Sequence, residues 1–247
     1  MVGPTFGRAS AESALACRGA LMNLLKIVMR SLLIFAAFAA AGSAHANLIQ
    51  NGSFESPVVP VGSYTNFAAG STGITGWTVV GVDSAVTSGS FTQSGITFQA
   101  QDGVQWLDLA GITANSNASG VLQSFATTIG AGYEITFYVG SAFDNLYFFP
   151  TTVDLSIDGG ARTSYFNPAA PTTSLDWKLF TVNFVATGTT TTLTFYNGAA
   201  ANNYNSALDN VSVNAIPVPE PAPLALLIAG LVAMTRVQAG RRSRHTR

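Results

Sequence analysis

The chain has 247 residues, 48% of them hydrophobic, with 11 Lys and Arg against 12 Asp and Glu. Its one cysteine, Cys17, and its two histidines, His45 and His245, lie outside the stretch 47–216. That stretch therefore has no disulfide framework, no thiol or imidazole nucleophile, no histidine base and no histidine zinc site. Within it ten acids face two bases, Arg162 and Lys178, a formal charge of −8. Such a surface argues against phosphate contacts with nucleic acid and is compatible with divalent cations.

The start of the chain reads as an export signal. Lys26 and Arg30 precede an apolar run from Leu32 to Ala41, and Ala44-His45-Ala46 supplies an A-x-A cleavage site ahead of Asn47. The signal peptide is expected over 22–46, and the mature chain is expected to begin at Asn47. Residues 1–21 show no apolar periodicity. They read as an extension upstream of a true start at Met22 or Met29, the alternative being a long basic leader.

From Asn47 to Ile216 the pattern is all-β. Tyr133, Ile135, Phe137 and Val139 alternate with Glu134, Thr136 and Tyr138. Val153, Leu155 and Ile157 alternate with Asp154 and Ser156, and Phe180, Val182 and Phe184 with Thr181 and Asn183. A period of two with one apolar face predicts half-buried antiparallel strands. Shorter strands are predicted at 48–50, 77–80, 105–109, 121–125, 191–196 and 208–213. Asp158-Gly159 and Asn197-Gly198 are hairpin-turn dipeptides. Many short strands in about 170 residues predict one domain of two packed antiparallel sheets, a β-sandwich or jelly roll.

Several residues invite a functional reading. Trp77 and Trp106 sit in strand-like motifs and are expected in the core, whereas Trp177 opens a strand and is a candidate sugar platform. Tyr147, Phe148 and Phe149 are three consecutive aromatics before Pro150. They cannot all face one side of a strand, so Tyr147 and Phe148 are candidate ligand contacts. Tyr204 lies in a polar loop with Asn202, Asn203 and Asn205, a composition suited to sugar contacts. Glu55 with Asp209, and Asp102 with Asp108, are the carboxylate pairs a glycosidase would need. No other catalytic motif accompanies them, and the protein is expected not to be an enzyme.

The order of six motifs carries a resemblance: NLIQNGSFESP from Asn47, GSTGITGW from Gly70, QAQDGVQWLDLAG from Gln99, GVLQSFATTIGAGYEITFYV from Gly120, FTVNFVATGTTTTLTFYNG from Phe180 and ALDNVSV from Ala207. The body resembles the choice-of-anchor type C family, which is similar to the domain of unknown function 642 proteins and to carbohydrate-binding modules. That resemblance implies a galactose-binding-like jelly roll and a polysaccharide ligand. It also implies one structural calcium ion joining the first and last strands, held by Glu55 and Asp209 with a backbone carbonyl of Gly52 or Asn51. Calcium takes six to eight oxygens, and two meeting carboxylates need a cation or a proton.

The tail has three parts. Pro217, Pro219 and Pro221 surround Glu220, an apolar run extends from Ala222 to Met234, and Arg236, Arg241, Arg242, Arg244 and Arg247 follow. The apolar run is roughly 20 Å as a helix against about 30 Å of hydrocarbon, short for a permanent anchor. The arginines set its orientation, with their end cytoplasmic. Val218-Pro219-Glu220-Pro221, a short membrane helix and the cluster with Arg241 and Arg242 resemble the PEP-CTERM sorting signal over 217–247. The resemblance implies a Gram-negative exopolysaccharide producer and a membrane exosortase that processes the tail. The expected protein is an exported, envelope- or matrix-directed polysaccharide binder that binds no nucleic acid. The alternatives are a structural surface protein without a specific ligand and a carboxylate glycosidase.

Overall fold

The computed structural model describes residues 46–113, 116–143, 148–149, 151–168, 173–199 and 206–217, with residues 143, 148 and 149 as backbone alone. The chain divides into two compact units, Met1–Ala44 and His45–Arg247, and every described residue belongs to the second. The expected signal peptide and the sorting tail from Val218 onward lie outside the described residues.

Among the described residues there are fourteen strands and no helix. They are β1 (Tyr64–Ala68), β2 (Thr78–Val80), β3 (Asp83–Ser88), β4 (Thr92–Gln93), β5 (Ile96–Thr97), β6 (Gln105–Asp108) and β7 (Gly120–Ala126). The rest are β8 (Gly132–Phe143), β9 (Phe148–Phe149), β10 (Thr151–Ile157), β11 (Thr163–Asn167), β12 (Asp176–Val185), β13 (Thr190–Asn197) and β14 (Ala207–Ala215). One sheet runs β1-β3-β6-β14-β8-β12 with β9 beside β8, and the other runs β11-β10-β13-β7-β2. All these pairings are antiparallel, and β4-β5 forms a small hairpin of its own.

The two sheets pack face to face because alternation gives each an apolar inner face. Ile135, Phe137 and Val139 of β8, Val153 and Leu155 of β10, Leu193 and Phe195 of β13, and Val211 and Val213 of β14 meet in one core. Phe180, Val182 and Phe184 pack against that core but stay partly open, since β12 is an edge strand. A second cluster lies on the outer side of the larger sheet, where Ile96, Phe98, Trp106, Ala142, Leu175 and Ala207 are buried with Phe91 and Trp177 against them.

Two sequence expectations are corrected. Residues 48–50 form no strand; this segment lies along β14 through single bonds, such as Leu48 N–H to Val213 O at 2.9 Å. Asn197-Gly198 makes no hairpin. β13 ends at Asn197 and the next strand, β14, belongs to the other sheet, so the chain must leave its sheet here. The Asn197 side chain instead accepts the Ala199 N–H at 3.0 Å, an Asx turn. Asp158-Gly159 does make the tight turn from β10 to β11, with both residues at positive φ (51° and 71°).

The strand directions sort the molecule into two ends. At one end Ile216 N–H bonds Gly132 O and Leu48 N–H bonds Val213 O, so both ends of the domain lie there. At the other end Thr151 pairs Asn167, Asp176 pairs Ser141, and Leu109 N–H bonds Ser206 O. The described flanks of 144–147, 169–172 and 200–205 all lie at this second end.

Candidate functional site

Glu55 and Asp209 come to the two ends of one short loop, 101–105. Asp209 Oδ2 accepts the N–H groups of Gln101 (2.8 Å) and Asp102 (3.1 Å), and its Oδ1 accepts that of Asn210 (2.7 Å). Glu55 Oε1 accepts the N–H groups of Val104 and Gln105, both at 2.8 Å. Gly103 makes this double turn at φ 69°, and a Cβ there would overlap the Glu55 carboxylate. The clasp is reinforced around its rim. Ser53 O–H donates to Asp102 Oδ2 at 2.6 Å, Asn210 Nδ2 to Gln101 Oε1 at 2.8 Å, and Gln105 Nε2 to the carbonyls of Phe54 and Pro57. A bulge in β14 between Asp209 and Ser212 turns the Val211 N–H onto the Gly52 carbonyl at 2.9 Å. The three motifs that open, centre and close the domain therefore meet here.

The donors facing these carboxylates are peptide N–H groups. A calcium ion there would share these oxygens with the N–H groups or use the second oxygen of Glu55. Among the described residues no group of three or more Asp, Glu, His or Cys is placed to hold a metal. Asp209 is fully buried, and burial pushes its pKa up to about 7, against the opposing pull of the amides of Asp102, Asn210 and Gln101. Of the other acid pair, Asp102 is exposed beside the clasp, whereas Asp108 is buried at the end of β6. There Asp108 Oδ1 accepts the N–H groups of Ala110 and Ser206. Burial raises the Asp108 pKa to about 7, with a smaller push from the Asp83 charge.

Asp83 anchors a second loop. Its Oδ2 accepts from Asn66 Nδ2 and from the N–H groups of Ile112 and Thr113, and also takes the Thr113 hydroxyl. Burial alone would raise its pKa, but these donors prevail and hold it below the ordinary carboxylate value. Its Oδ1 lies against Gly111, at φ 63°, where a Cβ would overlap it. Asp83 Oδ1 and Asn66 Oδ1 are buried without a hydrogen-bond partner.

Trp77 and Trp106 are buried, as expected from their strand-like motifs. Trp77 is 1% exposed, and its indole N–H donates to Asn51 O at 3.1 Å. Trp106, 2% exposed, donates to Phe98 O at 2.8 Å. Trp177 is half-buried. Its N–H donates to Gln99 O at 2.9 Å, its ring meets Trp106 edge-on at 6.4 Å, and Gly140 lies beneath it. Trp106 and Trp177 thus bond adjacent carbonyls of one segment and fix the 89–100 flap on the sheet. Tyr147 and Tyr204 lie outside the described residues, as does the side chain of Phe148.

The outer face of the β11-β10-β13-β7-β2 sheet has a different character. Register aligns Ser164, Asp154, Tyr196, Gly120 and Val80 in one row, then Ser156, Thr194, Leu122 and Thr78 in the next. Thr192 and Ser124 share a hydroxyl–hydroxyl bond of 2.7 Å beyond them. Ser164 O–H donates to Asp154 Oδ1 at 2.6 Å. Arg162 lies with its guanidinium carbon 3.4 Å from the Tyr196 ring centroid, and its Nη1 donates to Asn117 O at 2.7 Å. Its partners among the described residues are a ring and a carbonyl, and no carboxylate. Sequence reading passed over Arg162, Asp154, Ser164 and Tyr196. The available signal was that Arg162 is one of two bases in the body, and that alternation puts 154 and 196 opposite the apolar rows.

The profile of the family described as "Protein of unknown function (DUF642)" matches residues 47–214. Halomucin of Haloquadratum walsbyi is 31% identical over 212 residues, which is 81% of this chain and 2% of that protein. The chain thus spans a small fraction of that relative. Among solved structures, a CBM4 module is similar over 68% of this chain and 99% of its own, at 17% identity and TM-score 0.35. A family 35 carbohydrate-binding module from Clostridium thermocellum is similar over 61% of this chain and 98% of its own, at 14% identity and TM-score 0.38.

Proposed function

The chain belongs to the DUF642 family, proteins of unknown function, over residues 47–214, and from that premise we propose that it is an exported, non-catalytic module that binds extracellular polysaccharide. The observation that carries this reading is the outer face of the smaller sheet. It sets the reachable hydroxyls of Ser164, Thr192 and Ser124 on one face with an aromatic ring, a carboxylate and a guanidinium. Hydroxyl-rich polymers are held by such mixtures of donors, acceptors and ring surface. Tyr147, Phe148 and Tyr204 stay in the proposal as contacts at the loop-bearing end.

The domain ends lie opposite that loop-bearing end. A tail held in the inner membrane through its apolar segment, before an exosortase processes it, would therefore present the loops away from the bilayer. The surface or matrix of a Gram-negative cell is the destination this reading assigns. The non-catalytic part rests on the acids. Asp209 and Asp108 are buried and bonded to peptide N–H groups, so neither is free to approach a glycosidic bond. We further propose that the loop 101–105 takes the part that the resemblance gave to calcium, and no step here depends on a metal.

The reading is tested by affinity electrophoresis of the full chain through gels containing soluble polysaccharides. Retardation by at least one polymer, reduced in Tyr196→Ala at unchanged melting temperature, is expected. Free migration through every polymer by a folded chain would favour a structural surface protein.

A further inference from the structure

We propose that the polymer bound by this face carries carboxylates, as uronic acid residues, and that Arg162 reads them; this rests on the polysaccharide-binding reading above. The body has ten acids and two bases. In such a composition an arginine usually finds an acid, yet Arg162 is exposed and touches none among the described residues. It reaches from the edge beside β11 across β10 to β13, where the Tyr196 ring supports it and Asn117 O takes one N–H. A guanidinium has five N–H donors in a rigid fork, which suits a carboxylate through two parallel bonds. One donor is spent on Asn117, so a two-pronged contact is still available. The ring and the carbonyl also fix the side chain beforehand, which lowers the ordering cost of binding.

The surroundings fit a sugar acid better than a bare anion. Ser164 is exposed in the same row as Tyr196, and Thr192 and Ser124 lie further along the face, the three offering hydroxyls to a pyranose ring. Asp154 does not compete for Arg162. It accepts the Ser164 hydroxyl and lies close to Gly198, where a Cβ would come within 2.6 Å of its Oδ1. Lys178 offers no equivalent. It sits on an edge strand, donates to Phe166 O at 3.2 Å and lies 4.9 Å from the Phe180 ring centroid. The body's charge of −8 repels a polyanion at long range. At physiological salt that repulsion is screened beyond about 8 Å, whereas a contact pair on the sheet keeps its hydrogen bonds.

The test uses the full chain in an uncharged detergent at physiological salt. Calorimetric affinities are measured for polygalacturonate and alginate and for a neutral glucan and a neutral galactan. A uronate polymer is expected to bind more tightly than the neutral ones. Arg162→Met should weaken it by about ten- to a hundredfold, the range for hydrogen bonds to a charged group. Lys178→Met removes the same charge elsewhere and should leave affinity unchanged. Arg162→Lys keeps the charge without the fork and should weaken binding severalfold, which decides the matter should the Met variant not fold. Equal losses in the Arg162→Met and Lys178→Met chains would overturn the inference, because net charge rather than the site would then be responsible. Neutral polymers bound as tightly, with no effect of either Arg162 variant, would overturn it and leave the polysaccharide reading standing. A folded chain that binds none of the four would remove both.

Discussion

Replacing Gly103 by alanine tests the clasp that ties the domain's first and last motifs. The backbone at Gly103 has φ 69°, where an L side chain costs roughly 1–2 kcal/mol. The added Cβ would also overlap the Glu55 carboxylate, which must swing away. Glu55 then loses its bonds from Val104 and Gln105 N–H. Hydrogen bonds to a charged group contribute about 1.5–3 kcal/mol each, and the exposed Val104 bond belongs at the low end. The total is about 4–6 kcal/mol, a large part of an ordinary domain's stability. At about 2–4 °C per kcal/mol, melting should fall by roughly 10–20 °C. Calorimetry of the Gly103→Ala, Glu55→Ala and double-variant chains separates the two causes. In the Glu55→Ala background there is no carboxylate to displace, so Gly103→Ala should cost only the backbone strain, leaving a coupling of about 2 kcal/mol or more. Strictly additive losses, or a melting shift under about 2 °C, would refute the clasp.

Three further outcomes are expected. Asp108 and Asp209 both have folded pKa values near 7 against 3.8 for a free Asp, so the stability each contributes is fully present below pH 3.8 and is lost as pH rises to about 7. Asp83 works the other way, losing stability as pH falls through its lowered pKa. Urea midpoints should therefore decline from about pH 4 to pH 7 and then level, with a shallower decline in Asp108→Asn; a steady rise over that range would contradict the assignment. Trp177→Phe should cost about 1 kcal/mol, one hydrogen bond, and Trp177→Ala should loosen the 89–100 flap to limited proteolysis. A loss of polysaccharide affinity in Trp177→Phe at unchanged stability would instead make that indole a ligand contact. Melting of the chain, stripped of metal and then dosed with calcium, should not move; an upward shift that Asp209→Ala abolishes would restore the calcium ion at Glu55, Asp209 and Gly52.

Much of the sandwich was legible because alternation maps directly onto burial. Tyr133, Ile135, Phe137 and Val139 point inward on β8, and the expected strands at 121–125, 191–196 and 208–213 fall within β7, β13 and β14. β3 was not legible. All six of its residues, Asp83 to Ser88, are buried, so its Ser and Thr side chains are enclosed and no polar face marks the alternation. β11 was missed for the opposite reason, since it is an edge strand whose side chains are mostly exposed. At the clasp, the sequence suggested that Glu55 and Asp209 belong together, but not that the amides of 101–105 face them. Backbone donors leave no mark on residue identity except through Gly103. The Arg162–Tyr196 pair joins strands two apart in the sheet and 34 positions apart in the chain, beyond the reach of any local pattern.

Polysaccharide binding on the outer face of the smaller sheet is open to direct observation. The most direct measurement is amide chemical-shift mapping of the isotope-labelled chain during titration with a short oligosaccharide of a polymer that retards it. Saturable shifts centred on Asp154, Ser164, Thr194 and Tyr196 are expected, with no new reducing ends released. Shifts confined to the opposite sheet around Tyr138 and Thr181, or steady release of reducing sugar, would contradict it.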